Sequence, residues 1–247
     1  DHLHLMHRRA RFLNLANAGA VACYDARWLT GLANNDLVST WTDRSANAIS
    51  LTATGTLRPT YNTATLAGQP VVTFASGEWI KTGSTTLLKN VSAGFAYCVA
   101  TATGGDSYRT ILALGTNNNL DRIAIYYRSS GNAEAGGRRL DSDGYQFVSA
   151  TASGWNILGT EANYSAATLN LVVNGTRTAR SGGFQASGSS SNTNSNGMSF
   201  GAFFTDHSVD RLVGSIAALS IFSAAPSGAL VKRILHSYAF SFKLFCA

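Results

Sequence analysis

Tyr24-Asp25-Ala26-Arg27-Trp28 opens the most informative part of the chain, and it is followed by Trp41-Thr42-Asp43-Arg44-Ser45-Ala46-Asn47 and Arg58-Pro59-Thr60-Tyr61. Each segment sets an aromatic residue beside Asp, Asn, Ser or Pro. Aromatic residues favour strands, whereas these neighbours favour turns because of their backbone geometry or local hydrogen bonds. The three segments therefore predict strand, turn, strand, turn.

Further along the chain the pattern remains that of β-strands. Gly94–Thr101 alternates large and small apolar residues, so it is apolar on both faces, as expected for a strand between two covered surfaces. Thr168–Arg177 contains Asn174-Gly175 between two extended runs, which predicts a hairpin with a type I′ turn. The Ser/Asn/Gly tract Ser187–Gly197 predicts an exposed, mobile loop.

The pattern changes after Pro226. Apolar residues recur at helical spacing from Leu230 to Tyr238, which predicts a short helix that begins near Ser227. Phe240–Leu244 alternates again and predicts an extended tail. We therefore divide the chain into an N-terminal arm at 1–20, one domain at 21–238 and a C-terminal tail at 239–247.

Composition agrees with a β-rich globular protein. Of the 247 residues, 45% are hydrophobic, which is enough for a core, and 13% are charged, which is about half the usual share. The chain has 24 glycines and only 3 prolines, as in folds with many short strands and tight turns. A disordered chain would carry more charge and fewer aromatic residues.

Charge and cysteine content narrow the function classes. The formal net charge is +6, but the basic residues are scattered, which disfavours nucleic acid as a partner. No uninterrupted apolar run approaches the roughly 18 residues that a membrane span needs. The three cysteines are Cys23, Cys98 and Cys246; their odd number and spacing favour buried small side chains, although one disulfide remains open.

Several segments, in order from Ala22 to Leu235, resemble the laminin-G-like and concanavalin A-like lectin domains. The resemblance rests on seven segments in this order: Asp25-Ala26-Arg27, Val38-Ser39-Thr40-Trp41-Thr42-Asp43-Arg44-Ser45, Arg58-Pro59-Thr60-Tyr61, Gly68-Gln69-Pro70-Val71-Val72-Thr73-Phe74, Leu171-Val172-Val173-Asn174-Gly175, Met198-Ser199-Phe200-Gly201 and Gly214–Phe222. The helix predicted after Pro226 resembles the C-terminal helix of these domains. It implies an all-β fold: a jelly-roll β-sandwich of two antiparallel sheets, with a short C-terminal helix and extended terminal arms. It also implies a glycan or cell-surface polysaccharide as partner. One departure is Ala217-Ala218, where the family often carries Asp-Glu.

The residues needed for enzyme chemistry are sparse, so the sequence predicts a protein that is not an enzyme. The three glutamates, Glu78, Glu134 and Glu161, lack the spaced carboxylates of the strand motif that some glycosidases of this fold carry. The densest acidic cluster is Asp141-Ser142-Asp143, and the Gly144 beside it indicates a turn. A glycoside hydrolase of the same fold remains the third hypothesis.

Sugar binding needs flat aromatic faces with polar groups nearby. The candidate ligand-binding residues are Trp79, Tyr108, Arg109, Tyr127, Arg128 and Trp155. Tyr126 and Tyr127 are adjacent on one predicted strand, so they point to opposite faces and at most one can lie in a given groove. Core packing is the competing interpretation for each aromatic residue.

Two further sets of residues concern metal binding and assembly. The resemblance implies calcium as the candidate ion, and since calcium prefers oxygen ligands, the candidate ligands are Asp121, Asp206 and Asp210. The candidate assembly residues, in the two arms, are Arg8, Arg9, Arg11, Phe12, Phe240 and Phe242.

The leading hypothesis is a non-catalytic lectin-like module for glycan recognition or adhesion. Its main alternative is a structural or decoration protein of a phage or virus particle, held through its arms by capsid neighbours or as a homo-oligomer. Either hypothesis predicts an extracellular or virion-surface location.

Overall fold

Two antiparallel sheets make up the body of the protein. The computed structural model describes residues 15, 18–115, 121–203 and 208–244. Within these residues the strands, in chain order, are β1 (Ala22–Asp25), β2 (Thr40–Trp41), β3 (Leu51–Thr52), β4 (Thr60–Leu66), β5 (Gln69–Phe74), β6 (Ile80–Lys81), β7 (Ala93–Gly105), β8 (Tyr108–Gly115), β9 (Asp121–Arg128), β10 (Asn132–Gly137), β11 (Gln146–Thr151), β12 (Asn156–Asn163), β13 (Thr168–Val173), β14 (Thr176–Ala179), β15 (Met198–Phe200) and β16 (Leu212–Phe222).

Each sheet has eight strands. The first sheet has the order β14-β13-β12-β7-β16-β5-β4, with β1 also paired to β16, and the second has the order β11-β10-β9-β8-β15-β6-β3-β2. Helix α1 (Gly228–Phe242) follows the last strand. The predicted all-β sandwich of two antiparallel sheets with a C-terminal helix is confirmed. None of the helices in the described residues has the length and apolar character that a membrane crossing requires.

Strand β7 shows how the layers are built. Its small residues Ala96, Cys98 and Ala100 join the core between the two sheets, while its large residues join a second core on the other face. Side chains alternate along a strand, so one strand supplies both cores. The sequence prediction that both faces of this strand are covered is confirmed. Cys23 and Cys98 are buried and free, as the preference for small apolar sites predicted.

Helix α1 covers the outer face of the first sheet. Ser227 caps its N-terminus by accepting a hydrogen bond from the Leu230 amide at 3.2 Å, which confirms the predicted start. Val231, Ile234 and Tyr238 face the sheet. The chain before the first strand contributes to the same core through Leu15 and Ala20.

The predicted extended tail requires a correction, because the helix continues to Phe242. Phe242 follows Tyr238 by one helical turn and is fully buried, with the Arg27 guanidinium 4.9 Å from its ring centre. Phe240 points outward and is 59% exposed. The alternation of Phe240, Phe242 and Leu244 is too short to distinguish a strand from a helix. The helix is favoured because it places Phe242 in the core, one turn after Tyr238.

Asp43 explains why the opening motif matters. Its carboxylate accepts hydrogen bonds from the Cys23 amide at 2.8 Å, the Ile49 amide at 2.9 Å, and the Ser45 amide and hydroxyl at 2.8 and 2.7 Å. It therefore ties the turn after β2 to β1. Two residues earlier, Trp41 is fully buried in the core between the sheets.

Two predicted loops have opposite outcomes. Asn174 and Gly175 have φ angles of 49° and 93°, the left-handed values that a type I′ hairpin requires, so that prediction is confirmed. The tract Ser187–Gly197 was predicted to be exposed, and this is wrong for its buried serines, Ser190, Ser191 and Ser195. Their hydroxyls bond to the backbone of neighbouring segments, which the tract's composition does not reveal.

Replacing Asp43 with Ala should destabilise the fold strongly. Three backbone amides would lose their acceptor, and a buried donor without a partner costs about 1–3 kcal/mol, so we expect a loss of about 3–4 kcal/mol after local relaxation. Urea unfolding followed by circular dichroism measures this. The matched control is Asp36→Ala, which removes one exposed hydrogen bond to the Ala33 amide and should cost less than about 1 kcal/mol. Equal losses in both variants would contradict the role given to Asp43.

Candidate functional site

The outer face of the second sheet carries the candidate site. On β9, Ile125 and Tyr127 point into the core between the sheets, so Tyr126 and Arg128 point outward. Residues directly opposite in neighbouring strands share a face. Tyr108 of β8 pairs with Arg128, and Glu134 of β10 pairs with Tyr126.

A pocket of about 260 Å³ opens on this face. It is lined by three tyrosines, one phenylalanine and two aspartates: Tyr108, Tyr126, Tyr145, Phe203, Asp121 and Asp210. The sheet supplies Tyr108, Asp121 and Tyr126, whereas the other three lie in connecting segments. Its volume lies just below the range of roughly 300–1,000 Å³ common for small-molecule sites, so it suits one small chemical group.

Aromatic rings form the walls of the pocket. Tyr108 and Tyr126 meet edge to face, with ring centres 5.5 Å apart. The Arg128 guanidinium lies 3.4 Å from the Tyr108 ring centre. Tyr145 stacks on Phe147 at 6.4 Å, and Phe147 is 51% exposed, so the aromatic surface extends from the pocket onto the neighbouring sheet face.

Gly136 makes room for Tyr145. A Cβ atom at position 136 would lie 2.1 Å from the Tyr145 hydroxyl oxygen. Any side chain there would push the ring away from the face of β10. The glycine thus sets the position of one pocket wall.

Asp121 is the least satisfied polar group of the pocket. It is 4% exposed, and its Oδ2 accepts a hydrogen bond from the Tyr126 hydroxyl, while its Oδ1 has no partner among the described residues. Burial raises the pKa of the Asp121 carboxyl from 3.8 to about 8, and the negative charges of Asp210 and Glu134 act in the same direction. A buried polar atom without a partner is costly, so it is a candidate contact for a ligand.

The two neighbouring carboxyl groups show the same tendency. Burial raises the pKa of Asp210, and the nearby Asp106 adds to the increase. Burial also raises the pKa of Glu134, although Arg128 opposes this with a salt bridge of 3.1 Å. Burial therefore makes both carboxyl groups harder to ionise than in water.

Replacing Asp121 with Asn should stabilise the protein relative to the wild type, and this gain should increase with pH. Between about pH 4 and pH 8, folded Asp121 keeps a proton that the unfolded chain has released, so this group's contribution to stability falls as pH rises through that window. Asparagine cannot ionise, and its oxygen can still accept from Tyr126. The melting temperature of the variant minus that of the wild type should grow from pH 5 to about pH 8.

The control for this pH series is Asp36→Asn, which changes an exposed carboxyl. Its effect on the melting temperature should be small, because the one hydrogen bond that it alters is exposed. A melting temperature of Asp121→Asn below that of the wild type at high pH would contradict the assignment of Asp121 as a buried acid whose ionisation costs stability.

The structure brings some sequence candidates together and separates others. Tyr108, Asp121 and Asp210 line the pocket, and Arg128 borders it. Tyr127 requires a correction: it is 3% exposed, and its hydroxyl donates to the Ala100 carbonyl at 3.1 Å, so it is a core residue.

The remaining ligand candidates lie outside the pocket. Trp79 is 5% exposed, with the Lys81 ammonium 4.1 Å from its ring centre. Trp155 packs against the core on the helix side of the first sheet. Arg109 pairs with Tyr127, so it belongs to the opposite face from Tyr108, and its Nε donates to the Asp106 carbonyl at 3.2 Å.

Of the adjacent Tyr126 and Tyr127, the sequence-based choice was Tyr127, and the structure places Tyr126 in the pocket. Tyr145, Phe203 and Glu134 were not identified as site residues from the sequence. For Tyr126 a signal was present, because Ile123, Ile125 and Tyr127 share one face and isoleucines indicate the core side. The other three come from separate segments, and no local pattern joins them. Asp141, the acidic-cluster residue, instead binds Arg122 at 3.0 Å.

The calcium and assembly candidates have mixed outcomes. Asp206, Arg8, Arg9, Arg11 and Phe12 lie outside the described residues. Within the described ranges, no group of three or more His, Cys, Asp or Glu side chains could hold a metal ion, so calcium binding stays a prediction.

A second cavity of about 280 Å³ lies between β1 and α1, and Asp25, Arg27, Trp28 and Tyr238 are among its lining residues. Asp25 and Arg27 form a salt bridge with each other. Because these two charges satisfy one another, this cavity offers less to a polar ligand than the pocket on the second sheet.

Comparison with known proteins gives a fold relationship. No protein-family model matches the chain, and no curated protein matches it in sequence. It is similar to the receptor-binding domain of botulinum neurotoxin mosaic serotype C/D, with a TM-score of 0.60 and 14% identity over 90% of this chain and 51% of that chain. It is also similar to botulinum neurotoxin type C, a toxin that depends upon interaction with two ganglioside molecules to enter cells, with a TM-score of 0.63 and 12% identity over 90% and 52% of the two chains.

A sialidase of Trypanosoma rangeli in complex with sialic acid gives a TM-score of 0.54 and 10% identity, over 90% of this chain and 33% of that chain. The chain spans about half the length of the toxin chains that it matches. Identities this low show a shared fold alone. The shared fold is a jelly-roll β-sandwich of two antiparallel sheets.

Proposed function

We propose that the protein recognises a glycan without altering it, and that the pocket on the second sheet is the binding site. The observation that carries this proposal is the set of three tyrosines and two carboxyl groups around one small opening. Sugars present apolar C–H faces, which pack on aromatic rings, and hydroxyl groups, which donate to carboxyl oxygens.

The form of the sandwich supports the same site. Helix α1, Leu15 and Ala20 pack on the outer face of the first sheet, so less of that face is open to a ligand. The pocket face of the second sheet keeps aromatic surface exposed at Phe147. Two of the structural neighbours are described as interacting with gangliosides or sialic acid, which agrees with a glycan partner and an extracellular location.

The proposal predicts different effects for two exposed phenylalanines. Phe147, which is 51% exposed, flanks the pocket, whereas Phe240, which is 59% exposed, lies on α1 at the other side of the sandwich. Phe147→Ala should weaken glycan binding about fivefold, because an aromatic contact is worth about 1 kcal/mol. Phe240→Ala should leave it unchanged. A glycan array identifies the ligand, and calorimetry with the best binder measures both variants.

Equal effects of the two substitutions would count against the pocket as the site. Absence of binding to every glycan on the array, with and without calcium, would count against glycan recognition itself.

The assembly alternative also has a test in Phe240. This side chain is the most exposed large apolar group among the described residues and belonged to the candidate assembly set. Phe242 cannot contact a neighbouring molecule, because it is buried under the helix. If arms hold the protein in an assembly, Phe240→Ala should lower its oligomeric state in light scattering; an unchanged state would oppose a role for this residue.

Glycoside hydrolysis is the second candidate function, because Asp121 and Asp210 face one pocket. A protonated Asp121 could act as a general acid, which is the usual role of a carboxyl group with a raised pKa. However, one of its oxygens is held by Tyr126, and the residue is 4% exposed, so reaching a glycosidic oxygen would require rearrangement. We therefore expect no release of reducing ends above the Asp121→Asn background during long incubation with the bound glycan. Release that depends on Asp121 would establish the enzyme.

A further inference from the structure

The charges around the pocket are unequally paired. Glu134 binds Arg128, and Asp106 binds Arg211 at 3.0 Å. By contrast, Asp121 and Asp210 take part in no salt bridge within the described residues. The chain as a whole carries a formal charge of +6, so a pocket with two acidic groups that lack a salt bridge differs in charge character from the rest of the chain.

Arginine side chains nearby do not cancel these two groups. Arg128 is held by Glu134 and lies on the Tyr108 ring, and the Arg138 Nη1 donates to the Asp141 carbonyl at 2.7 Å. Arg138 attracts Asp121 only as a neighbouring charge. Desolvation of Asp121 exceeds the attraction of Arg138, and desolvation of Asp210 exceeds the attraction of Arg128, since the pKa of each carboxyl is raised.

The unpartnered Oδ1 of Asp121 requires a hydrogen-bond donor from the ligand. The aromatic walls add a second requirement, because the faces of tyrosine and phenylalanine rings attract cations. A primary ammonium group meets both requirements at once. It donates to a carboxyl oxygen, carries a positive charge between Asp121 and Asp210, and packs against the rings.

We propose that the pocket selects a sugar that carries a free ammonium group, such as an unacetylated glucosamine unit of an oligosaccharide. This inference rests on the proposed glycan recognition and names its chemical class. An anionic sugar carboxylate would face two unpaired acidic groups and be disfavoured. A neutral sugar would fill the pocket but would bring no positive charge to favour the ionised forms of Asp121 and Asp210.

Calorimetry near neutral pH tests the inference with four probes: a glucosamine oligomer with free amines, its N-acetylated counterpart, a glucose oligomer of the same linkage and cyclohexylamine. The free-amine oligomer should bind about tenfold more tightly than either other saccharide. Asp121→Asn and Asp210→Asn should each lower its affinity about tenfold. Each should lower the affinity for the glucose oligomer by a smaller factor, because the asparagine oxygen still accepts a hydrogen bond from a sugar hydroxyl. Asp36→Asn, which removes an exposed carboxyl elsewhere, is the matched control and should change neither.

The outcomes separate the two levels of the proposal. Equal affinity for the three saccharides, or equal losses for all of them in the aspartate variants, overturns amine selection and leaves glycan recognition standing. Binding of cyclohexylamine through Asp121, without binding of any saccharide, overturns glycan recognition and identifies a site for non-sugar amines. Binding of none of the probes overturns the pocket as an amine-sugar site. Melting curves of each variant establish that the losses do not come from unfolding.

Discussion

Burial of the first sheet on both faces is the constraint on which the arrangement of the molecule depends. Strand β7 sends small side chains into the core between the sheets and large ones beneath α1. Buried apolar surface is the main favourable term in folding, and this strand contributes to it on both sides. The first sheet is thereby covered on both faces, and the candidate pocket lies on the outer face of the second sheet.

That division explains why the pocket can hold costly groups. Asp121, Asp210 and Glu134 are each harder to ionise than in water, and their burial lowers the stability of the folded state at neutral pH. The apolar cores on the two faces of the first sheet offset this loss of stability. Departures from good packing and pairing at one place, within an otherwise consistent fold, are typical of binding sites.

The sequence allowed most of the architecture to be predicted, because local chemistry decides it. Asn174-Gly175 allows only a few turn types, Ser227 marks a helix start, and the alternation in β7 has one structural solution. Burial of the Ser187–Gly197 tract could not be predicted, because its serine hydroxyls are satisfied by segments far away in the chain. Composition reports only that such a tract is polar.

The candidate site was predictable only in part, and for a geometric reason. Tyr108, Asp121 and Asp210 were identified as polar or aromatic residues of suitable type, but the face of each depends on sheet pairing. Strand β8 illustrates this, because its register with β9 shifts between Thr110 and Leu112.

The shift lets a single strand turn Tyr108 toward the pocket and Leu112 toward the core. Loss of one residue at that irregularity would exchange inside and outside for half of the strand, placing a tyrosine hydroxyl among aliphatic chains and a leucine in water. The irregularity therefore determines which residues of β8 face the core and which face outward. Substitutions at the outward positions change the chemistry of the pocket face, whereas an insertion or deletion at the irregularity reverses the faces of the residues beyond it.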